Sequence, residues 1–147
     1  MAMRHFVQYH NPDRVGPLAA VPDDLCVYTN KPLSLVATLP GNTIWLIAGD
    51  GRPRRYTLCY AFVVDEIGES PHPDFAWYAR GAEGRIFQPA PRLDHEPWFG
   101  SFLRRHANFS LGLRELQPED VAWLARPIRS SAWTGIFQGA GKRYTVR

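Results

Sequence analysis

Two apolar segments joined by a charged turn constrain the fold of this chain more than any other feature. TIWLIAG (residues 43–49) and RRYTLCYAFVVDEI (residues 54–67) are rich in the β-branched and aromatic residues that favour strands. Between them, Asp50-Gly51-Arg52-Pro53 supplies a glycine where a tight reversal needs a positive φ. The sequence therefore predicts a hairpin of two buried strands, and its turn carries three arginines, namely Arg52, Arg54 and Arg55.

Weaker strand signals lie on both sides of this hairpin. The aromatic and β-branched residues of RHFVQYHN (4–11) stop at the turn cluster Asn11-Pro12-Asp13, which predicts a first strand. A short strand or turn is predicted at LCVYTN (25–30), and two further strands are predicted at FAWYA (75–79) and GRIFQPA (84–90). PLSLVATL (32–39) fits either one or two helical turns or a strand.

Two short helices are predicted in the last third of the chain. In PWFGSFLRRHA (97–107) apolar residues recur with helical spacing, and Arg104 and Arg105 fall on the opposite side. QPEDVAWLAR (117–126) begins with a proline and two acids, which the helix dipole favours in a first turn. A last strand is predicted at residues 133–137, followed by a basic tail with Lys142, Arg143 and Arg147.

The order of these elements lacks the regular strand–helix alternation of a parallel sheet. It predicts an α+β fold, built as a small, partly closed antiparallel β-barrel with short flanking helices. No internal repeat or long linker interrupts the chain, so residues 1–147 are predicted to form a single domain.

The amino-acid composition indicates a cellular compartment and a class of binding partner. The chain has no apolar run of about 18 residues and no charged-then-apolar leader, so we predict a soluble cytoplasmic protein with no membrane partner. Cys26 and Cys59 lack C-x-x-C spacing, which favours reduced core thiols over a disulfide or a metal site. Arginine supplies all but two of the 17 basic residues. This bias favours a nucleic-acid partner, and GC-rich coding is the alternative explanation.

Catalytic motifs are absent from the sequence. There is no H-E-x-x-H, G-x-S-x-G or phosphate-loop pattern, and the acids do not have the spacing expected of a metal-dependent nuclease. We therefore predict neither a catalytic residue nor a cofactor or metal. An enzyme that acts on nucleotides or nucleic acid, with His10 and a carboxylate such as Asp13 as acid and base, is the alternative.

Aromatic residues make up 13% of the chain, more than a core of this size needs. Trp98 and Trp123 fall on the apolar sides of the predicted helices and are expected to pack in the core. Tyr9, Tyr28 and Trp45 instead lie near amides at strand ends. A π-face beside an amide suits a pocket for a flipped-out base, because the ring stacks on the base while the amide reads its edge.

The order of these motifs resembles the PUA-like superfamily, most closely its EVE and YTH branches. The resemblance rests on HFVQYHNP (5–12), VYTNKP (27–32), PGNTIWLIAG (40–49), RRYTLCYAFVVDEI, HPDF (72–75) and NFSLGLRELQPEDVAWL (108–124). The chain departs from the EVE pattern in two places: the first strand lacks a tryptophan, and IAG stands where Tyr-His-Ser is usual. Both departures fall at the expected pocket, so the resemblance leaves the ligand open.

The resemblance implies a non-catalytic module that reads a modified base of DNA or RNA in an aromatic pocket. The residues expected at the base are Tyr9, His10, Asn11, Tyr28, Asn30, Trp45, Ala48 and Gly49, with Asn108, Phe109 and Ser110 as a lid or wall. The residues expected at phosphates are Arg52, Arg54, Arg55, Arg104 and Arg105. A monomer or weak dimer is expected, and a separately encoded nuclease is a candidate partner.

Three alternatives stay open at this point. Trp45 lies inside an apolar strand, where a tryptophan is more often packed than presented to a ligand. The arginines of the turn can be ordinary solvated charge. The chain can also be a small-ligand or protein-interaction domain that uses the same barrel without nucleic acid.

Overall fold

A computed structural model of the chain describes residues 3–15 and 25–130. Its elements, in order, are β1 (His5–His10), α1 (Pro12–Val15), β2 (Leu25–Thr29), α2 (Leu33–Val36), β3 (Thr43–Asp50), β4 (Arg55–Val63), β5 (Glu66–Glu69), β6 (Trp77–Gly81), β7 (Glu83–Ile86), α3 (Phe99–Arg105), a 3-10 turn (Ala107–Phe109), β8 (Arg114–Glu115) and α4 (Pro118–Ser130). The predicted α+β class is confirmed. The strand predicted at residues 133–137 and the basic tail lie outside the described residues.

The strands of the described residues form two open sheets. The large sheet has the order β7-β4-β3-β1-β8, and the small sheet has the order β2-β6-β5. β1 pairs with β3 in parallel, from His5 opposite Thr43 to His10 opposite Ala48, whereas the other pairings are antiparallel. The predicted antiparallel barrel therefore needs one correction, since β1 and β3 are parallel. The chain leaves β1, passes through α1, β2 and α2, and returns beside β1 in the same direction, as parallel pairing requires.

β3 is buried on both of its faces, which accounts for its unbroken apolar sequence. Ile44 and Leu46 point into the core between the two sheets, and Trp45 and Ile47 point into a second core on the other face of the large sheet. Successive residues of a strand alternate between faces, so a strand that is covered on both sides needs apolar residues at every position.

Each core is completed by different elements. The inter-sheet core receives residues from the small sheet and from the region of α2, namely Leu25, Val27, Ala79, Val36 and Leu39. The helix-side core receives residues from the helical segment that follows the strands, namely Trp98, Phe99, Phe102, Phe109 and Leu124. The structure thus has three layers, in the order small sheet, large sheet, helices. Trp98 packs as predicted, and the partly buried Trp123 stacks against it at a centroid distance of 5.9 Å.

α4 is joined to α3 through one buried carboxylate. Asp120 is fully buried; its Oδ2 accepts the backbone N–H of Gln117 at 2.9 Å, and its Oδ1 lies 2.8 Å from Nη1 of Arg105. His106 lies beside it, with Nε2 3.3 Å from Oδ2. Burial lowers the pKa of His106, and the neighbouring Asp120 charge opposes that shift. This cluster fixes the start of α4 against the chain that leads into the 3-10 turn.

We expect Asp120→Ala to lower the free energy of unfolding by about 1–3 kcal/mol, because it leaves the Gln117 N–H at the start of α4 without its buried acceptor, whereas Arg105 keeps Glu119. Glu119→Ala is the matched control. Glu119 also pairs with Arg105, at 2.8 Å, but it is exposed, so its removal should cost less than about 1 kcal/mol. Urea unfolding of the two variants checks the difference, and equal destabilisation would contradict the role given to Asp120.

Candidate functional site

A cleft of about 810 Å³ lies where the two sheets part, between β1 and β2. These strands are not paired with each other, but Nε2 of Gln8 on β1 donates a hydrogen bond of 3.2 Å to the backbone carbonyl of Tyr28 on β2. Oε1 of Gln8 is buried and has no hydrogen-bond partner within the described part of the chain. The Gln8 side chain therefore bridges the two sheets and leaves one acceptor unsatisfied in the cleft wall.

A first aromatic cluster lines the cleft from the side of the small sheet. It consists of Tyr28 on β2 and of His72 and Phe75, which belong to the loop between β5 and β6. Tyr28 stacks on Phe75 with ring centroids 6.0 Å apart, and the His72 ring lies 5.9 Å from Tyr28 and 5.2 Å from Phe75. One strand and one loop thus contribute a continuous aromatic wall.

Asn30 holds this loop in place. Its Nδ2 donates to the carbonyl of Asp74 at 2.9 Å, and its Oδ1 accepts the N–H of Ala76 at 2.8 Å. Within the loop, Nδ1 of His72 accepts the N–H of Asp74 at 3.2 Å. Asn30 lines the cleft as predicted, but both ends of its amide bind the loop backbone. Its contribution to the site is therefore to position His72 and Phe75.

A second aromatic cluster packs against the helix-side core, and two of its members, Tyr9 and Phe109, reach the edge of the cleft. Tyr9 on β1 stacks on Phe109 with centroids 4.9 Å apart and an interplanar angle of 11°. Tyr56 packs against both rings, at 5.9 Å and 6.0 Å. Gly49 is required beneath this cluster, because a Cβ at that position would overlap with the Tyr9 hydroxyl. Burial raises the pKa of the Tyr9 hydroxyl above its ordinary value.

The 3-10 turn that carries Phe109 has a strained backbone. Ala107, Asn108 and Phe109 have φ values of 53°, 54° and 63°, three consecutive residues in the left-handed region without a glycine. Such a conformation costs roughly 1–2 kcal/mol per residue. Burial of Phe109 and the 2.6 Å hydrogen bond from Ser110 Oγ to the Ala107 carbonyl offset part of that cost. Backbone strain of this kind is concentrated at binding sites, and Asn108 and Ser110 both line the cleft.

Most of the residues predicted at the base line this cleft. They are Tyr9, His10, Asn11, Tyr28, Asn30, Asn108, Phe109 and Ser110. Trp45, Ala48 and Gly49 do not line it. Trp45 is 9% exposed, its Nε1 donates to Nδ1 of His5 at 3.1 Å, and its ring packs in the helix-side core. Its neighbour Leu46 does line the cleft, so strand alternation sends Trp45 to the opposite face of the sheet. This corrects the prediction for Trp45.

Several lining residues were not predicted. They include Gln8, Cys26, Lys31, Tyr60, His72 and Phe75. Gln8 lies two positions before His10 on the same strand and therefore shares its face. The sequence alone could have indicated Gln8 for this reason. His72 and Phe75 lie in a proline-rich loop, and sequence does not show which strand such a loop covers. Among the described residues that line the cleft none is acidic, and Lys31 adds a cation at its rim.

The arginine turn between β3 and β4 is coupled to the end of β1. Nη2 of Arg54 lies 2.6 Å from Oδ2 of Asp13, and Nη2 of Arg52 lies 3.4 Å from the same oxygen. The N–H of Asp13 in turn donates to Oδ1 of Asn11, a cleft residue, at 3.0 Å. The turn thus lies near the Asn11 end of the cleft, and Arg55 is exposed beside it.

The two arginines of α3 differ in their surroundings. Arg104 is exposed, with a 3.3 Å hydrogen bond to Oγ of Ser101. Arg105 contacts Glu119 and Asp120, and its guanidinium lies 5.2 Å from the centre of the Trp123 ring. The Arg105 side chain therefore holds α4, whereas Arg104 is available to solvent.

Two carboxylates near the site, Asp13 and Asp94, are engaged in ion pairs. The hydrogen bond from Arg54 lowers the pKa of Asp13, which makes this carboxylate a weak proton acceptor. Asp94 binds Arg92 at 2.5 Å and accepts the Tyr56 N–H at 3.0 Å, and these contacts hold its pKa far below the usual range. Within residues 3–15 and 25–130, no three His, Cys, Asp or Glu side chains are placed to share a metal ion.

No protein-family model matches this chain, and no curated protein matches it. No helix in the described ranges is both long enough and apolar enough to cross a bilayer.

Replacing Asn30 should free the loop that carries His72 and Phe75. We expect Asn30→Ala to speed hydrogen exchange at the N–H of Ala76, because the acceptor Oδ1 is removed. Asn30→Asp is the matched control, since it keeps an acceptor for Ala76 and removes only the donor to Asp74. The exchange rate of the Ala76 N–H, measured by NMR, should then be highest in Asn30→Ala, intermediate in Asn30→Asp and lowest in the wild type. Equal exchange in all three proteins would show that Asn30 does not hold the loop.

Proposed function

We propose that this chain is a non-catalytic nucleic-acid-binding module that takes a modified base of DNA or RNA into the cleft between its two sheets. The observation that carries the proposal is the aromatic cluster Tyr28–His72–Phe75 along one cleft, whose edge is also reached by the stacked pair Tyr9–Phe109 of the helix-side core. The volume of about 810 Å³ is within the range of small-molecule sites and admits a nucleotide.

The polar groups of the cleft suit an uncharged, flat ligand. Amide side chains of Gln8, Asn11 and Asn108 line it, and amides supply both donors and acceptors to the edge of a base. The described lining residues contain no acid that would pair with a cationic ligand. Stacking is tolerant of base identity, so the amides would set the selectivity.

The arginine turn supplies the proposed contacts to the backbone. Arg52, Arg54 and Arg55 lie on the hairpin that reaches the Asn11 end of the cleft, and the exposed Arg104 on α3 is a further proposed phosphate contact. Asp13 pairs with both Arg52 and Arg54. A phosphate at this turn would therefore either bind these arginines together with Asp13 or replace Asp13 as their partner.

The finer fold assignment belongs to the same proposal. The two packed sheets, the short flanking helices and a cleft at the ends of β1 and β2 are compatible with a PUA-like domain in which the sheets approximate a partly closed barrel. We therefore propose a single EVE-like domain, acting in the cytoplasm as a monomer or weak dimer, with a separately encoded nuclease as a candidate partner. The ion pair of Asp13 favours the binding module over the enzyme that would use His10 and Asp13.

Phe75→Ala should erase discrimination between modified and unmodified oligonucleotides. A stacked base is worth about 1–3 kcal/mol, so affinity for the preferred oligonucleotide should fall by about tenfold or more. Phe75→Tyr is the control, because it keeps an aromatic ring at the same position. Filter binding with a panel of modified bases measures both variants. Equal weak binding of the wild type to every oligonucleotide would reject a base reader.

Removing the arginines of the turn should distinguish contacts to the phosphate backbone from recognition of the base. The triple variant Arg52→Ala, Arg54→Ala, Arg55→Ala should weaken binding by a similar factor for every sequence. The slope of log affinity against log salt on a duplex should flatten by about 0.9 for each phosphate that the turn no longer neutralises. Discrimination between bases should survive. Arg85→Ala, on β7 at the edge of the large sheet, is the control. An unchanged salt slope in the triple variant would remove the turn from the interface.

A further inference from the structure

Leu111 is an exposed apolar side chain at the mouth of the cleft. It is 52% exposed, and it lines the cleft beside Ser110 and Gly112. The other exposed large apolar side chains within the described residues are Met3 and Leu33, neither of which lines the cleft. A single exposed leucine is ordinary on a protein surface, but this one lies at the edge of the cleft, where a bound ligand would cover it.

The backbone around Leu111 is fixed on both sides. Phe109, two residues earlier, is buried against Tyr9, and the left-handed turn before it is closed by hydrogen bonds from the Phe109 N–H to His106 and from the Ser110 N–H to Ala107. Gly112 follows with a φ of 73°, a conformation that favours glycine. The chain thus presents Leu111 from a defined position instead of folding it into either core.

Lys31 places a positive charge next to this position. Its Cε lies 3.8 Å from the point that a Cβ of residue 112 would occupy, and Lys31 lines the same rim of the cleft. The arginine turn lies near the Asn11 end. The rim therefore combines one exposed leucine with cations, the combination used by proteins that insert an apolar wedge between base pairs while contacting phosphates.

We propose that Leu111 enters the gap that a base leaves in the stack when that base moves into the cleft. The substrate of the cleft is then a base in duplex nucleic acid, since a base that is already unstacked leaves no gap to fill. This inference rests on the proposed function and adds the form of nucleic acid that the module reads. Unstacking costs a few kcal/mol per step, and a leucine in the gap restores part of the apolar packing that unstacking removes.

The test compares a duplex with a single strand that carries the same preferred base. The variants are Leu111→Ser, Leu111→Met, which keeps a wedge, and Leu33→Ser as a control of similar exposure, since Leu33 is 49% exposed on α2. DNA and RNA duplexes are both tested. Leu111→Ser should weaken duplex binding by about tenfold and leave single-strand binding within about twofold, and Leu111→Met should restore most of the affinity. Fluorescence of 2-aminopurine next to the target base should rise on binding of the wild type and rise less with Leu111→Ser.

Two results would overturn the wedge while leaving the base reader in place. The first is an equal weakening of duplex and single-strand binding in Leu111→Ser, which would make Leu111 only part of the cleft wall. The second is a fall in melting temperature well beyond that of Leu33→Ser, which would show that Leu111 packs within the folded chain. If the wild type binds neither form of nucleic acid, the proposed function itself fails.

Discussion

The burial of β3 on both faces is the constraint on which the rest of this structure depends. A strand that is covered on both sides must lie between two layers, and here these are the small sheet and the helical segment after the strands. Once β3 is central, β1 and β4 flank it, and the chain between β1 and β3 has to pass to the other sheet and back. The cleft is a product of this layering, because it lies where β1 of the large sheet and β2 of the small sheet diverge.

Polar side chains around the cleft divide into those that build it and those that face its interior. Asn30 uses its whole amide on the loop, Gln8 bridges the sheets with its Nε2, and Asp13 ties the arginine turn to the end of β1. These contacts fix the aromatic clusters before any ligand arrives. Preorganisation of this kind reduces the entropy cost of binding, so rigid aromatic surfaces give more affinity than mobile ones of the same area.

Local sequence patterns predicted the elements of the fold better than their arrangement. The hairpin of β3 and β4 and the helices α3 and α4 were predicted because each carries its own signal: β-branched runs, helical spacing, or acids in a first turn. The parallel pairing of β1 with β3 was not predicted, because it depends on the path of the intervening chain. The confirmed part of the fold is its α+β class.

The candidate site shows the same division between local and tertiary information. Tyr9, His10, Asn11 and Tyr28 line the cleft, and the sequence could indicate them because they lie at strand ends. Trp45 was misplaced because a strand buried on both faces gives no sign of which face any residue takes. The left-handed turn at residues 107–109 contains no glycine, so nothing in its sequence signals the conformation.

The parallel pairing of β1 with β3 also bears on the order in which the chain folds. β3 and β4 are joined by a short turn, so their contacts close a small loop, whereas β1 must find β3 across 38 positions and β8 across 109, as in the pairs His5–Thr43 and Phe6–Glu115. Loop-closure entropy delays such distant contacts. We therefore expect the hairpin to form early and β1 to dock late. Because β1 supplies one side of the cleft, a ligand that recognises the cleft would report on the docking of β1, and a nascent chain would complete the lining of the cleft only after residue 112 has been synthesised.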